Sequence, residues 1–226
     1  MYELYIANKN YSSWSLRPWL LMKELNIPFT ERLERFTDDT TAFRRFSPSG
    51  RVPCLHDGAT VVYDSLAIVE YLAERHPGVW PQDDAARAWA RCACAEMHSG
   101  FFTLRGNCGM NCGLRVRLHE ISDALRADLD RVEELWTEGI ERFGGPFLAG
   151  DRFCAVDAFF GPVAFRLQTY QPPVGHVANR YAQRLLELPA MKQWYADALQ
   201  EPWRDAEHEE DVLLAGKVID DLRRPL

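Results

Sequence analysis

The sequence predicts an α/β domain followed by an all-α domain, and three observations carry that expectation. Short aromatic and β-branched runs alternate with helical segments through residues 2–74. From residue 84 onward, apolar residues recur at helical spacing over long windows. Between these regions lies His76-Pro77-Gly78-Val79-Trp80-Pro81-Gln82-Asp83, which is punctuated by proline and glycine. The expected division is therefore a first domain at 1–77, a linker at 78–83 and a helical domain at 84–226.

Within the first domain, residues 2–7 read as a strand, and Asn8 to Ser13 as a polar loop. Leu16, Trp19, Leu20 and Leu21 then set a helix over 14–25, with Asn26 suited to its C-terminal end. A second strand is expected at 29–33 and a short Arg-bearing helical stretch at 40–46. Residues 52–56 and 60–63 are two strands joined through Asp57-Gly58, a tight-turn pair. Leu66, Ile68, Val69 and Leu72 place a helix over 65–74. The order β-α-β-α-β-β-α, with parallel pairing expected across the two early crossovers and antiparallel pairing at the tight turn, is a thioredoxin-like layout.

In the second domain, one long helix is expected over 84–107 and another over 114–143, ended by Gly144-Gly145-Pro146. A strongly apolar helix follows at 155–170, bounded by Pro172-Pro173. Shorter helices are expected at 178–188 and 190–199. The charged tail from 201 to 226 is expected on the surface, with a helix near 211–222.

Composition narrows the function classes. With 226 residues, 47% of them hydrophobic, the chain can build a core without disulfides. A net charge of -7 argues against nucleic acid or an anionic membrane as partner. No run approaches the roughly 18 apolar residues of a membrane span. Met1-Tyr2-Glu3-Leu4-Tyr5 lacks the regions of a signal peptide, so a cytoplasmic protein with six reduced cysteines is expected.

Three segments carry candidate chemistry. Arg51-Val52-Pro53 opens a strand with a residue that lacks an amide hydrogen; a cis Val52–Pro53 bond would turn the preceding backbone toward a ligand. Tyr63-Asp64-Ser65 runs from a strand into a helix. Ser65 at or beside the N-cap, with the helix-terminal amides, can hold a carboxylate, and Asp64 can pair with an ammonium. Read alone, Asp64-Ser65 is an ordinary capping pair. Tyr11-Ser12-Ser13-Trp14-Ser15-Leu16-Arg17 puts serine hydroxyls at a helix start, where they either cap the helix or stabilise a thiolate. No Gly-x-Ser-x-Gly elbow and no adjacent His or Asp points to a hydrolase.

Together these segments resemble the cytosolic glutathione transferase superfamily, and the resemblance runs essentially end to end. Ser12-Ser13-Trp14-Ser15-Leu16-Arg17 is similar to the Ser-Ser-x-Ser-x-Arg signature of the serine-type zeta class and its bacterial relatives. The resemblance implies glutathione as co-substrate, bound by a thioredoxin-like domain, and a glutathione-transferase helical domain supplying most of the second-substrate pocket. It implies Ser12 as thiol activator with Ser13 as its competitor, Arg51, Val52 and Pro53 at the cysteinyl backbone, and Asp64 and Ser65 at the γ-glutamyl group. It also implies a homodimer. Trp14 stands where zeta-class maleylacetoacetate isomerases carry Cys, and Asp64 where that class commonly has Gln.

In the helical domain, Cys154 to Asp157 resembles the superfamily's capping box, with a thiol, a poor acceptor, where Ser or Thr belongs. Met97, Phe101 and Arg105 recur at i, i+4 and i+8, so they either line the cleft from one helix face or belong to the interhelical core. Trp14, Phe101 and Phe102 are candidates for shaping the pocket. His98 is a candidate base or polar wall, against the ordinary reading of a satisfied histidine. Arg105 and Arg115 either meet an anionic substrate or pair on helix surfaces. Cys92-Ala93-Cys94 and Cys108 to Cys112 lack zinc spacing and read as small buried thiols, so no metal is expected. No Cys-x-x-Cys follows the first strand, and residues 8–17 hold no cysteine, against dithiol and cysteine-type chemistry.

The expected function is conjugation of glutathione to an electrophilic, largely apolar small molecule. Glutathione-dependent isomerisation of the maleylacetoacetate type, or glutathione binding without turnover, are the alternatives.

Overall fold

In strand β1, Tyr2–Ile6, the inward positions Leu4 and Ile6 are fully buried, as alternation requires. The structure, a computed structural model, describes residues 1–37, 39 and 41–225. Helix α1, Ser13–Glu24, follows, and Asn26 takes a left-handed conformation (φ 54°) just beyond it. Strand β2, Phe29–Leu33, pairs in parallel with β1 in the register Tyr2↔Phe29 to Ile6↔Leu33. A 3-10 turn, Ala42–Arg45, occupies part of the stretch expected to be helical; Thr40 lies outside the described residues.

Strands β3, Cys54–Asp57, and β4, Thr60–Val62, form the expected hairpin, with Gly58 at φ 59° in its turn. Helix α2, Ser65–Ala73, closes the unit. Strand order is β2-β1-β3-β4. Only the first crossover gives parallel pairing: the connection after β2 passes β1 and returns, so β3 lies antiparallel to β1. Leu16, Trp19 and Leu20 of α1 and Ile68, Val69 and Leu72 of α2 bury against this sheet and the helical unit.

The helical unit contains α3, Asp84–Ser99, α4, Phe102–Asn107, α5, Asp123–Phe143, α6, Ala155–Tyr170, α7, His176–Leu186, α8, Pro189–Gln200, and α9, Ala206–Ala215. Helix α6 is its axis, buried over nearly its whole length and packed on α1, α3 and α7. Gly161 permits the approach to α1: a Cβ there would stand 2.8 Å from Leu20 Cδ2. Asp157 anchors α6. Its carboxylate accepts from the amides of Cys154 (2.9 Å) and Leu148 (3.0 Å) and from the Tyr181 hydroxyl (2.6 Å), and the capping box is present with Cys154 at the N-cap.

Three segments depart from the sequence expectation. The helix expected over 84–107 breaks at Gly100, where Phe101 turns left-handed (φ 55°) and Asp128 accepts from the Leu104 amide to start α4. The helix expected over 114–143 begins only at Asp123; Leu114–Leu118 is strand β5, whose Leu-Arg-Val-Arg-Leu alternation has the period of two. Its partner, strand β6, Gly216–Asp221, replaces the second half of the helix expected near 211–222. The tail is not a surface appendage either, since Glu201, Val212 and Arg223 are buried; Leu226 lies outside the described residues.

Replacing Asp157 with Ala would leave three donors, two of them amides, without an acceptor in a buried site. Each such group costs about 1–3 kcal/mol, so Asp157→Ala is expected to lower unfolding free energy by about 3 kcal/mol or more in urea titration. A loss under about 1 kcal/mol would show that this anchor matters little.

Candidate active site

Strand β1 ends in Ala7-Asn8-Lys9-Asn10-Tyr11-Ser12, a polar loop that is nevertheless buried. Buried backbone must find partners, and here they come from the far end of the chain. Glu201 accepts from the amides of Lys9 (2.6 Å) and Asn10 (3.3 Å), and Trp194 Nε1 donates to the Lys9 carbonyl (2.8 Å). The Asn10 amide group donates to Asn111 Oδ1 (3.0 Å). Tyr11 donates to Glu209 Oε1 (2.6 Å), which Arg223 holds by a double hydrogen bond. Burial works to raise the Glu209 carboxyl, but Arg223 and Tyr11 outweigh it and hold it below the usual carboxylate range.

This loop delivers Ser12 to the N-cap of α1 and Ser13 to its first turn. The Ser12 hydroxyl donates to Ser15 Oγ (2.7 Å), which also accepts from the Ala7 amide (3.2 Å). No side chain caps the helix, and its first turn holds no acidic residue. The Ser12 and Ser13 amides donate to the carbonyls of Asn8 (2.8 Å) and Tyr11 (2.9 Å), so the Trp14 and Ser15 amides and the positive field are what the helix start leaves open.

Both serines line a cavity of about 820 Å³ between the two units. One wall is built by Phe36, Thr37, Phe43, Gly50, Arg51 and Val52 of the first unit; the Val52–Pro53 bond is cis. The wall opposite carries Phe102, Arg105, Gly109, Met110 and Arg166. Helix α9 supplies the third side through Glu207, His208 and Asp211, with His208 stacked on Phe36 (5.1 Å between ring centroids). Trp14 stands between the first two walls, its ring 4.1 Å from the Arg17 guanidinium and 4.7 Å from that of Arg105.

The remaining sequence candidates fall in three places. Asp64, not Ser65, is the N-cap of α2, accepting from the Leu66 amide (3.1 Å). It stands outside the cavity and meets His98 Nε2 at 3.2 Å, and the His98 ring abuts Trp14 edge-on (5.1 Å). Ser65 is fully buried and its hydroxyl has no protein partner among the described residues. Pro53 lies behind Val52, buried, and does not line the cavity. Met97 and Phe101 are buried core residues, because the break at Gly100 removes the continuous face they would share with Arg105. Arg115 donates to the carbonyls of Cys112 and Leu114 and to the Tyr195 hydroxyl, away from this cavity.

The model of the glutathione S-transferase N-terminal domain matches residues 11–75, and that of the glutathione S-transferase C-terminal domain matches residues 115–197. A probable maleylacetoacetate isomerase of Caenorhabditis elegans is 30% identical over 201 residues, 83% of this chain and 89% of that protein. The chain belongs to the glutathione S-transferase family. Mouse glutathione S-transferase theta-1 is 36% identical over 109 residues, which span 46% of this chain and 42% of the mouse protein. Among solved structures, a glutathione transferase homologue from Burkholderia with bound glutathione superposes with a TM-score of 0.66 at 24% identity, covering 87% of this chain and 97% of that one. That likeness shows the shared thioredoxin-like and helical fold.

In this transferase, sequence reasoning missed the cavity residues of the loop after β2, those of α9, and Arg166. Arg166 had one available signal: with Asp157 it is one of the two charges in the otherwise uncharged α6. The α9 residues had none, since nothing local shows that the tail folds back. No helix among the described residues is long and apolar enough to cross a membrane.

His98 gives a test of the site's field. Burial lowers its pKa, the Asp64 carboxylate opposes that, and Arg17 and Arg105 add to the lowering. It is expected to be neutral at pH 7 and, in NMR titration, to protonate below the ordinary value of about 6.5. Because the unfolded chain binds this proton first, the group's contribution to stability falls as pH drops below about 6.5. Asp64→Asn should depress the value further and Arg105→Gln should raise it; the opposite order would mean that these charges do not act on His98.

Proposed function

We propose that this chain is a serine-type transferase, zeta-like, that ionises the thiol of glutathione and adds the thiolate to an electrophilic small molecule. The observation that carries the reading is the start of α1, where two serine hydroxyls and uncapped amides face the cavity. A thiolate is stabilised by hydrogen-bond donors and by a helix N-terminus, which together lower its pKa from about 8.5. Ser12 is the first candidate. If both hydroxyls rotate, Ser15 donates to Ser12 and Ser12 donates to sulfur, while the Ala7 amide keeps Ser15 in place. Ser13 is the competitor, one residue into the helix and with access to the same cavity.

Glutathione would lie along the first unit. Arg51, Val52 and Pro53 would meet its cysteinyl backbone, and Asp64 its ammonium. Its γ-glutamyl carboxylate would meet the start of α2 at Asp64-Ser65, where the helix-terminal field favours an anion. In the chemical step sulfur forms a bond to the electrophilic carbon, the leaving group departs with its electron pair, and the thiol proton passes to solvent. Trp14 and Arg105 flank the second-substrate side. Domain limits of 1–77 and 84–226, joined by 78–83, fit this division of labour.

A related reading is glutathione-dependent isomerisation, supported by the similarity to proteins of Caenorhabditis elegans and Vibrio cholerae named probable maleylacetoacetate isomerase. Recovery of unchanged glutathione after turnover of maleylacetoacetate would distinguish it from conjugation.

The test is a thiol titration by ultraviolet absorbance of bound glutathione, with conjugation rates for aryl halide and epoxide substrates, and rates of hydroperoxide reduction to alcohol and water with oxidation of two glutathiones to the disulfide, alongside. Wild type is expected to hold the thiol at least about one pKa unit below its free value, and Ser12→Ala to cost about 10²–10³ in kcat. If Ser13→Ala alone is impaired, the two roles exchange. Full activity in both variants, or an unshifted thiol, would overturn the assignment.

As a cytoplasmic homodimer, the form the family likeness suggests, the protein should elute with a light-scattering mass of twice 26.0 kDa. A mass equal to one chain would remove that part of the reading.

A further inference from the structure

The buried and half-buried cations around α1 and the cavity divide by their partners. Lys9 meets the carboxylates of Glu31 (2.8 Å) and Asp197 (2.7 Å), and Arg223 those of Glu209 and Asp221. Arg105 and Arg166 have no carboxylate within ion-pair distance among the described residues. Arg166 is only 5% exposed, yet its one hydrogen bond among the described residues runs from Nε to the Cys108 carbonyl (2.8 Å), and it lines the cavity. Arg105 donates from Nη1 to the carbonyls of Gly100 (3.1 Å) and His98 (3.4 Å).

The two guanidinium groups also repel one another. Burial first, and Arg105 further down, lower Arg166 to about 10, and burial lowers Arg105. Arg17, buried behind Trp14 with Nε and Nη1 unpartnered, adds a third positive charge. An uncompensated buried cation is costly, and a pair of them beside one cavity is costlier. The acidic residues of the cavity do not relieve it. Asp39 lies on the loop after β2 and Glu207 and Asp211 lie on α9, and none pairs with either arginine.

We propose that Arg105 and Arg166 form a carboxylate subsite on the helical wall of the cavity. The electrophile would then be a reactive carbon on a largely apolar body that carries a carboxylate. The inference rests on the transferase reading above and narrows its second substrate. Trp14, Met110 and Phe102 offer the apolar body its surface. A planar guanidinium suits a carboxylate by geometry as well as charge. Glutathione itself brings carboxylates, but the residues proposed to hold it lie on the first unit, whereas these arginines lie on α4 and α6 of the helical unit. The tripeptide is therefore the rival source of the anion, and the experiment separates the two.

The probes are 4-chloro-3-nitrobenzoate and its methyl ester, which share ring, nitro group and leaving group. With either, the carbon–sulfur bond forms, the carbon–chlorine bond breaks, chloride leaves with the electron pair and the thiol proton goes to solvent. Each kcat/KM is divided by the uncatalysed rate with glutathione. The carboxylate is expected to be favoured about tenfold or more, and Arg166→Gln or Arg105→Gln to abolish most of that preference. Arg166→Lys should retain part of it. An equal or reversed preference in the wild type overturns the proposal. So does a substitution that raises KM for glutathione and leaves the preference intact, since the arginines would then serve the tripeptide.

A binding arm needs no turnover. Calorimetric titration of 4-nitrobenzoate into protein saturated with S-methylglutathione should show binding that weakens with salt and falls about tenfold in Arg105→Gln, whose partly exposed site tolerates the change in the fold. Absence of 4-nitrobenzoate binding overturns the subsite. Binding of 4-nitrobenzoate by a protein that fails to take S-methylglutathione would keep the subsite and remove the transferase reading instead.

Discussion

The clamp on the loop after β1 is the constraint from which the rest of the site follows. Asn8, Lys9, Asn10 and Ser12 are polar and buried, so every hydrogen-bonding group there must be met inside the protein. Glu201 meets two consecutive amides with one carboxylate, Trp194 meets a carbonyl, and Glu209 receives Tyr11, Asn111 and Arg223 together. The residues that fix where α1 begins thus stand nearly two hundred positions away in sequence. A helix start defined this way is placed by the whole fold, and with it the serines that face the cavity.

The clamp also explains how charge is distributed. Lys9 is buried beside Trp19 and Trp194, with its ammonium 5.1 and 5.5 Å from their ring centroids, and two carboxylates complete its surroundings. That cation is satisfied within the fold and belongs to its architecture. On the other side of α1 the pattern inverts. Arg17 rests on Trp14 and Phe159 with most of its donors idle, and Arg166 and Arg105 line the cavity with no carboxylate partner among the described residues. The two regions treat cations in opposite ways, and only the second lines the cavity.

How much of this was legible in the sequence depends on whether the signal was local. Alternation in Tyr2–Ile6, the Asp57-Gly58 turn and the apolar face of α2 each declare themselves within a few residues, and the structure follows them closely. Leu114–Leu118 failed for an instructive reason: its basic residues fall at alternate positions, but the run abuts the strongly helical Asp123–Phe143 and was absorbed into it. The break at Gly100 was equally invisible, because what fixes it is Asp128 reaching across from α5. Among candidate site residues, the serines, Arg51, Val52 and Arg105 meet at one cavity, whereas Met97 and Phe101 were drawn in by a helical spacing that the backbone does not sustain. The loop after β2, Arg166 and α9 could be assigned to the cavity only once the chain had folded.

The starts of the nine α-helices among the described residues sharpen the case for the serine loop. A side-chain oxygen accepts from an amide at or just inside eight of them: Asp64 for α2, Asp83 for α3, Asp128 for α4, Ser122 for α5, Asp157 for α6, Glu133 for α7, Glu24 for α8 and Asp205 for α9. Such oxygens satisfy orphan amides and complement the helix field, so their recurrence is what stability alone would select. At α1 the one residue placed to do the same, Ser12, turns its hydroxyl to Ser15 instead, and no acid stands in the first turn. The exception falls at the only one of these starts whose N-cap and first turn both border the large cavity, beside Val52 and Trp14. A fold that meets an amide at every other of these starts with a side-chain oxygen, and leaves the Trp14 and Ser15 amides of α1 without one, keeps them and the serine hydroxyls for something that arrives from outside, and an anion is what such a terminus accepts.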